Sequence, residues 1–73
     1  MKEEMDKTVY YITLDLFFKS NEINPDDVES KKLFPSNWYF INDYHLKTEI
    51  LTEAIEKKIP ITETEQYKKI NLH

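Results

Sequence analysis

The clearest pattern of apolar and polar positions lies at residues 43–58. Leu46, Ile50, Leu51, Ala54 and Ile55 form a stripe at helical spacing, and Lys47, Glu49, Glu53, Glu56 and Lys57 take the other side. Asp43 is an acidic start, Lys57 and Lys58 are a basic end, and Pro60 stops the element. The spacing predicts a helix over 43–58.

The first segment, residues 3–21, carries two periods at once. Tyr10, Ile12, Leu14, Leu16 and Phe18 alternate with Tyr11, Thr13, Asp15 and Phe17, which is a strand pattern. Met5, Val9, Ile12 and Leu16 also follow i, i+4, i+7, i+11, with Tyr10, Leu14 and Phe17 widening that stripe and Thr8, Asp15, Lys19 and Glu22 on a narrow polar side. The run over 9–18 is long for a strand and glycine-free turns do not favour a sheet, so helix is the preferred reading.

Between these two segments the chain is punctuated. Asn24, Pro25, Asp26, Asp27 and Glu29 read as an N-cap, a proline at the first helical position and an acidic first turn. A short helix over 25–34 is predicted, ended by Pro35. Residues 38–41 (Trp, Tyr, Phe, Ile) are a dense apolar run, either a short strand or a buried connector. After Pro60, Thr62 and Glu65 fit a capping box for a last short helix with Tyr67 and Ile70 as its apolar contacts. Residues 14–33 and 51–70 share an outline of apolar helix, turn and capped helix ending in two lysines and an aliphatic residue, too little to establish a repeat.

The expected fold is mainly α: one domain over residues 1–73, with three to four short helices around an aromatic core, helix 43–58 at its centre, and frayed termini at 1–3 and 71–73. The alternative is α+β, with 9–18 and 38–41 as strands packed on helix 43–58.

Composition sharpens this. With 73 residues and no cysteine, the domain has a thin core and no disulfide or thiolate metal site to support it. Its rings must pack well, or be shared with a partner. Glycine is absent, which disfavours tight hairpins and leaves Asn21, Asn24, Asn37 and Asn42 as the expected boundary residues. The net charge is −4 and every basic residue is lysine, a balance that argues against nucleic acid as a partner. No run reaches membrane-spanning length, and the acidic N-terminus lacks the order of a signal peptide, so a cytoplasmic location is expected. Abundant Lys, Ile and Asn with a single Ala point to AT-rich coding, as in a low-GC bacterium or its phage.

No catalytic, cofactor or metal site assembles on paper. His45 is the one internal base candidate and reads as a helix-start residue with local hydrogen bonds. Asp26, Asp27 and Glu29 suit the helix dipole better than a cation. No cofactor and no small-molecule substrate is implied, and no enzymatic activity is expected. The leading reading is a small acidic protein–protein interaction module, an inhibitor or accessory factor, binding another protein or itself as a homodimer. Its candidate partner-binding residues are Phe34, Trp38, Tyr39, Tyr44 and Asp43, because aromatic side chains dominate binding hot spots and acids steer association. The alternative is a nucleic-acid-binding regulator using the C-terminal helical hairpin, with Lys57, Lys58, Lys68 and Lys69 as contacts.

Overall fold

The computed structural model describes residues 2–70. The chain forms α1 (Lys2–Ser20), α2 (Tyr44–Lys57) and α3 (Glu65–Ile70), joined by short 3-10 turns at Val28–Leu33, Trp38–Phe40 and Ile61–Glu63. It is a mainly α domain with no strand among the described residues. Both segments of the α+β alternative are helical: 9–18 lies inside α1, and 38–40 is a 3-10 turn. Of the termini expected to fray, Lys2 and Glu3 are helical, while 1 and 71–73 lie outside the described residues.

The central helix matches its pattern. Asp43 accepts a hydrogen bond from the Leu46 N–H at 3.1 Å, an N-cap that satisfies one orphan donor. Ile50, Leu51 and Ala54 are buried, and α1 lies across them as the most extensive helix pair. The second predicted helix starts later than its sequence suggests. Asn24 accepts from the Asp26 N–H at 3.0 Å, making an Asx turn that holds Pro25 outside any helix. Asp27 then caps the 3-10 turn. The residue before Pro35, Phe34, is extended at φ −113 and ψ 139, as proline requires.

Two other boundaries differ from the sequence reading. The capping box of Thr62 and Glu65 does not form. Thr64 caps α3 instead, accepting from the Tyr67 N–H at 3.2 Å while its own hydroxyl donates to the Ile61 carbonyl at 2.7 Å. The left-handed helix ends fall on Glu22 (φ 56) and Lys58 (φ 55), not on asparagines. Each closes a Schellman-type turn: the Ile23 N–H reaches the Phe18 carbonyl and the Ile59 N–H reaches the Ala54 carbonyl, both at 3.1 Å. Without glycine, the chain places side chains where a Cβ is sterically costly.

Candidate interaction surface

Rings of the same kind divide between core and surface: Phe17 and Tyr10 are buried, Phe40 and Tyr39 are exposed. Trp38 is 2% exposed, and its indole N–H donates to the Tyr10 hydroxyl at 3.1 Å. Phe34 stacks at 5.5 Å on Trp38 and at 5.7 Å on Phe17, and Tyr44 lies 5.3 Å from Tyr10. Burial pushes the Tyr10 phenol above its ordinary pKa, a rise the Trp38 hydrogen bond partly offsets. These contacts spread the core from α1 through the connector to α2.

Lys47, read from its spacing as a residue of the polar face, is buried in this cluster. Its ammonium sits 4.8 Å from the Tyr10 ring centre, 4.9 Å from Tyr44 and 5.7 Å from Trp38. Three electron-rich ring faces replace part of the hydration it loses. Burial still pushes the Lys47 pKa down from the ordinary lysine value. Helical periodicity cannot show this, because α2 places Lys47 at the edge of its apolar stripe and its four-carbon stem reaches the rings.

Among the sequence-predicted partner-binding residues, Trp38 is in the core and Phe34 and Tyr44 are half-buried against it. Asp43 is engaged as the α2 cap. Only Tyr39 presents a largely exposed ring, with its neighbour Phe40 beside it at 82% exposure. The five are therefore not one open surface. A groove of about 270 Å³ runs beside Tyr39, lined by Leu14, Phe18, Pro25 and Phe34.

The lysines of the nucleic-acid alternative are exposed, and two are paired. Lys57 reaches Glu53 at 3.1 Å and Lys68 reaches Glu63 at 3.5 Å. Lys58 forms the left-handed end of α2. Glu53 ties the last two helices together. It accepts from the Glu65 N–H at 2.9 Å as well as from Lys57, and the backbone hydrogen bond from Glu65 is the main reason its carboxyl lies below its ordinary pKa. The carboxylate in turn raises the Lys57 ammonium.

The candidate catalytic and metal residues have local partners. His45 Nε2 contacts Glu49 at 2.8 Å on the exposed side of α2. Glu29 pairs with Lys32 at 3.3 Å, and no metal-binding group of three or more such side chains gathers among the described residues. No helix among them is long and apolar enough to cross a membrane.

The main feature that the sequence reading misplaced is on α1. Tyr10, Phe17 and Phe18 are the residues α1 buries, while Met5 (67%), Val9, Ile12 and Leu16 lie exposed on the opposite side. The wide apolar stripe read from the sequence is divided: Tyr10 and Phe17 from its edge face the core, and Met5, Val9, Ile12 and Leu16 face out. The signal that could have revealed it is the excess itself: α1 carries apolar side chains on two sides, while α2 and the connector at Phe34 and Trp38 cover the side that bears the rings. No family model, no curated protein and no solved structure matches this chain, so comparison assigns it to no family.

Proposed function

We propose that this domain is a non-enzymatic interaction module, working by contact with another protein chain. The observation that carries the reading is the outer stripe of α1. Four large aliphatic side chains in one line, each about half exposed or more, form an apolar patch of the kind that marks binding surfaces on small proteins. Tyr39 and Phe40 supply a second exposed apolar site on the connector. The buried cluster and the apolar side chains packed against it do not include Met5, Val9, Ile12 or Leu16.

The nucleic-acid alternative draws less support, because acids neutralise Lys57 and Lys68 at close range and the chain is acidic overall. A role as an inhibitor or accessory factor in a bacterium or phage is the biological setting that suits such a module. The test is binding by three folded proteins: the natural chain, Ile12→Glu and Phe40→Glu. Self-association, or specific retention of another protein from bacterial lysate, that either charge abolishes is the expected result. Absence of both activities in the natural chain, with secondary structure intact, overturns the reading.

A further inference from the structure

We infer that the ring cluster around Lys47 is a cation site for a trimethylammonium group, filled in the resting fold by the Lys47 side chain itself. Three rings from three parts of the chain converge there: Tyr10 of α1, Trp38 of the connector and Tyr44 of α2. Among the described residues no carboxylate pairs with the Lys47 ammonium and no hydrogen bond holds it. The site therefore holds a positive charge by ring faces alone. That chemistry suits a quaternary ammonium, which has no N–H to donate. The cage does not involve the outer stripe of α1 or Phe40, so it stands or falls apart from the interaction reading.

The spacing of the rings fits the larger ion. A methyl carbon bonded about 1.5 Å from a nitrogen and resting about 3.5 Å above a ring puts that nitrogen about 5 Å from the ring. The Lys47 nitrogen already stands 4.8, 4.9 and 5.7 Å from the three ring centres. A methylated nitrogen at the same point lays its methyl groups against the rings. Lys47 leaves the cage without breaking a polar contact. No buried side-chain nitrogen among the described residues lacks a hydrogen-bond partner, so the Lys47 nitrogen, which has none, keeps some contact with water. Its stem leaves α2 at the edge of the apolar stripe, and rotating that stem carries the ammonium out to full hydration. The lowered pKa of Lys47 reflects the hydration it forgoes in the cage.

Charge beside Tyr44 also favours a cation. Tyr44 lines a cavity of about 500 Å³ together with Glu3, Glu4, Asp6, Asp43 and Lys7. Lys7 itself lies 6.0 Å from the Tyr44 ring centre. Among the described residues, four carboxylates against one ammonium draw cations towards the ring that forms one wall of the cage.

Trp38 is the single tryptophan of the chain, so its fluorescence reads one wall of the cage directly. Choline is the probe, and its neutral carbon analogue, with a tert-butyl group in place of trimethylammonium, is the control. Lys47→Ala, with helical circular dichroism intact, is expected to give a saturable Trp38 response to choline in the millimolar range. The natural chain should bind at least tenfold more weakly, because Lys47 competes for the site. Lys47→Ala/Tyr44→Leu should lose the response, and the neutral analogue should give none. A folded Lys47→Ala chain that responds to choline up to about 0.1 M no more than to sodium chloride overturns the inference. An equal response to the neutral analogue also overturns it, by marking an apolar cavity only. Where Lys47→Ala does not fold, the natural chain decides: a response to choline that the analogue does not reproduce supports the site, and no response up to about 0.1 M overturns it. A peptide carrying trimethyllysine, titrated alongside, separates two sources of the same group. Binding tenfold tighter than choline supports the site as one for a modified protein side chain; equal or weaker binding supports it as one for a free small cation.

Discussion

α1 and α2 are the two long helices of the domain, and they use their apolar residues in opposite ways. On α2 one stripe is apolar and that stripe is the core, with Ile50 and Leu51 wholly buried. On α1 two sides are apolar. The side with the rings packs inward, and the aliphatic stripe that looks more regular in sequence faces out. Specific partners favour this orientation. Turning α1 the other way would leave the indole N–H of Trp38 without its Tyr10 partner and the Phe34 ring without Phe17 and Phe18. Regular spacing therefore identifies an apolar face without saying whether its own chain covers it.

Substitutions at matched positions should break or sharpen this contrast. The largest effects belong to the core: Trp38→Ala is expected to cost about 3–5 kcal/mol and Leu51→Ala about 2–5 kcal/mol, both read by urea unfolding. Either loss is a large part of the stability of so small a domain, and Trp38→Ala should leave it largely unfolded.

Next come two positions where the chain carries local strain or a desolvated charge. Lys58→Gly relieves a left-handed residue with a Cβ and is expected to stabilise by about 1 kcal/mol. Lys47→Met exchanges a desolvated ammonium and its ring contacts for an apolar side chain, and is expected to change stability by less than about 2 kcal/mol. Its pH dependence is more telling than its size. The folded pKa of Lys47 lies below the ordinary 10.5, so the charge costs stability at neutral pH, and that cost fades as pH rises from the depressed value towards 10.5. Any advantage of Lys47→Met should shrink over that window; an advantage that grows with pH would show that the rings favour the charged form outright.

Glu53 offers a smaller and more local effect. Its folded pKa is lowered, so its contribution is present above the ordinary carboxylate range and lost as pH falls through the depressed folded value. Glu53→Gln should speed amide exchange in α3 while leaving α2 protected, because the carboxylate caps the N-terminal N–H groups of α3 from outside the helix. Equal loosening of both helices would mean that α3 and α2 open as one unit. The smallest effect is expected on the outer stripe, where Ile12→Ala in dilute solution should change stability by less than about 0.5 kcal/mol.

Much of the fold was legible because strong local signals agreed. Asp43, the single stripe and Pro60 defined α2 to within a residue at each end. The failures share one physical cause, competition that a linear pattern does not display. Thr64 rather than Thr62 caps α3 because Glu53, distant in sequence, supplies the remaining acceptor. Glu22 and Lys58 take left-handed geometry because the helix ends fall there and no glycine is available. Of the surface, Tyr39 was legible as an exposed aromatic candidate. Trp38 was not separable from it, since adjacent residues in a 3-10 turn point in different directions and only the tertiary fold shows which ring enters the core.

The contrast between the two faces of α1 is tested most directly by thermal unfolding of the natural chain and Ile12→Glu in dilute solution. A stripe that lies outside the core gives equal Tm values for the two proteins. A Tm for Ile12→Glu that is far lower than that of the natural chain would place Ile12 in the core and contradict the account.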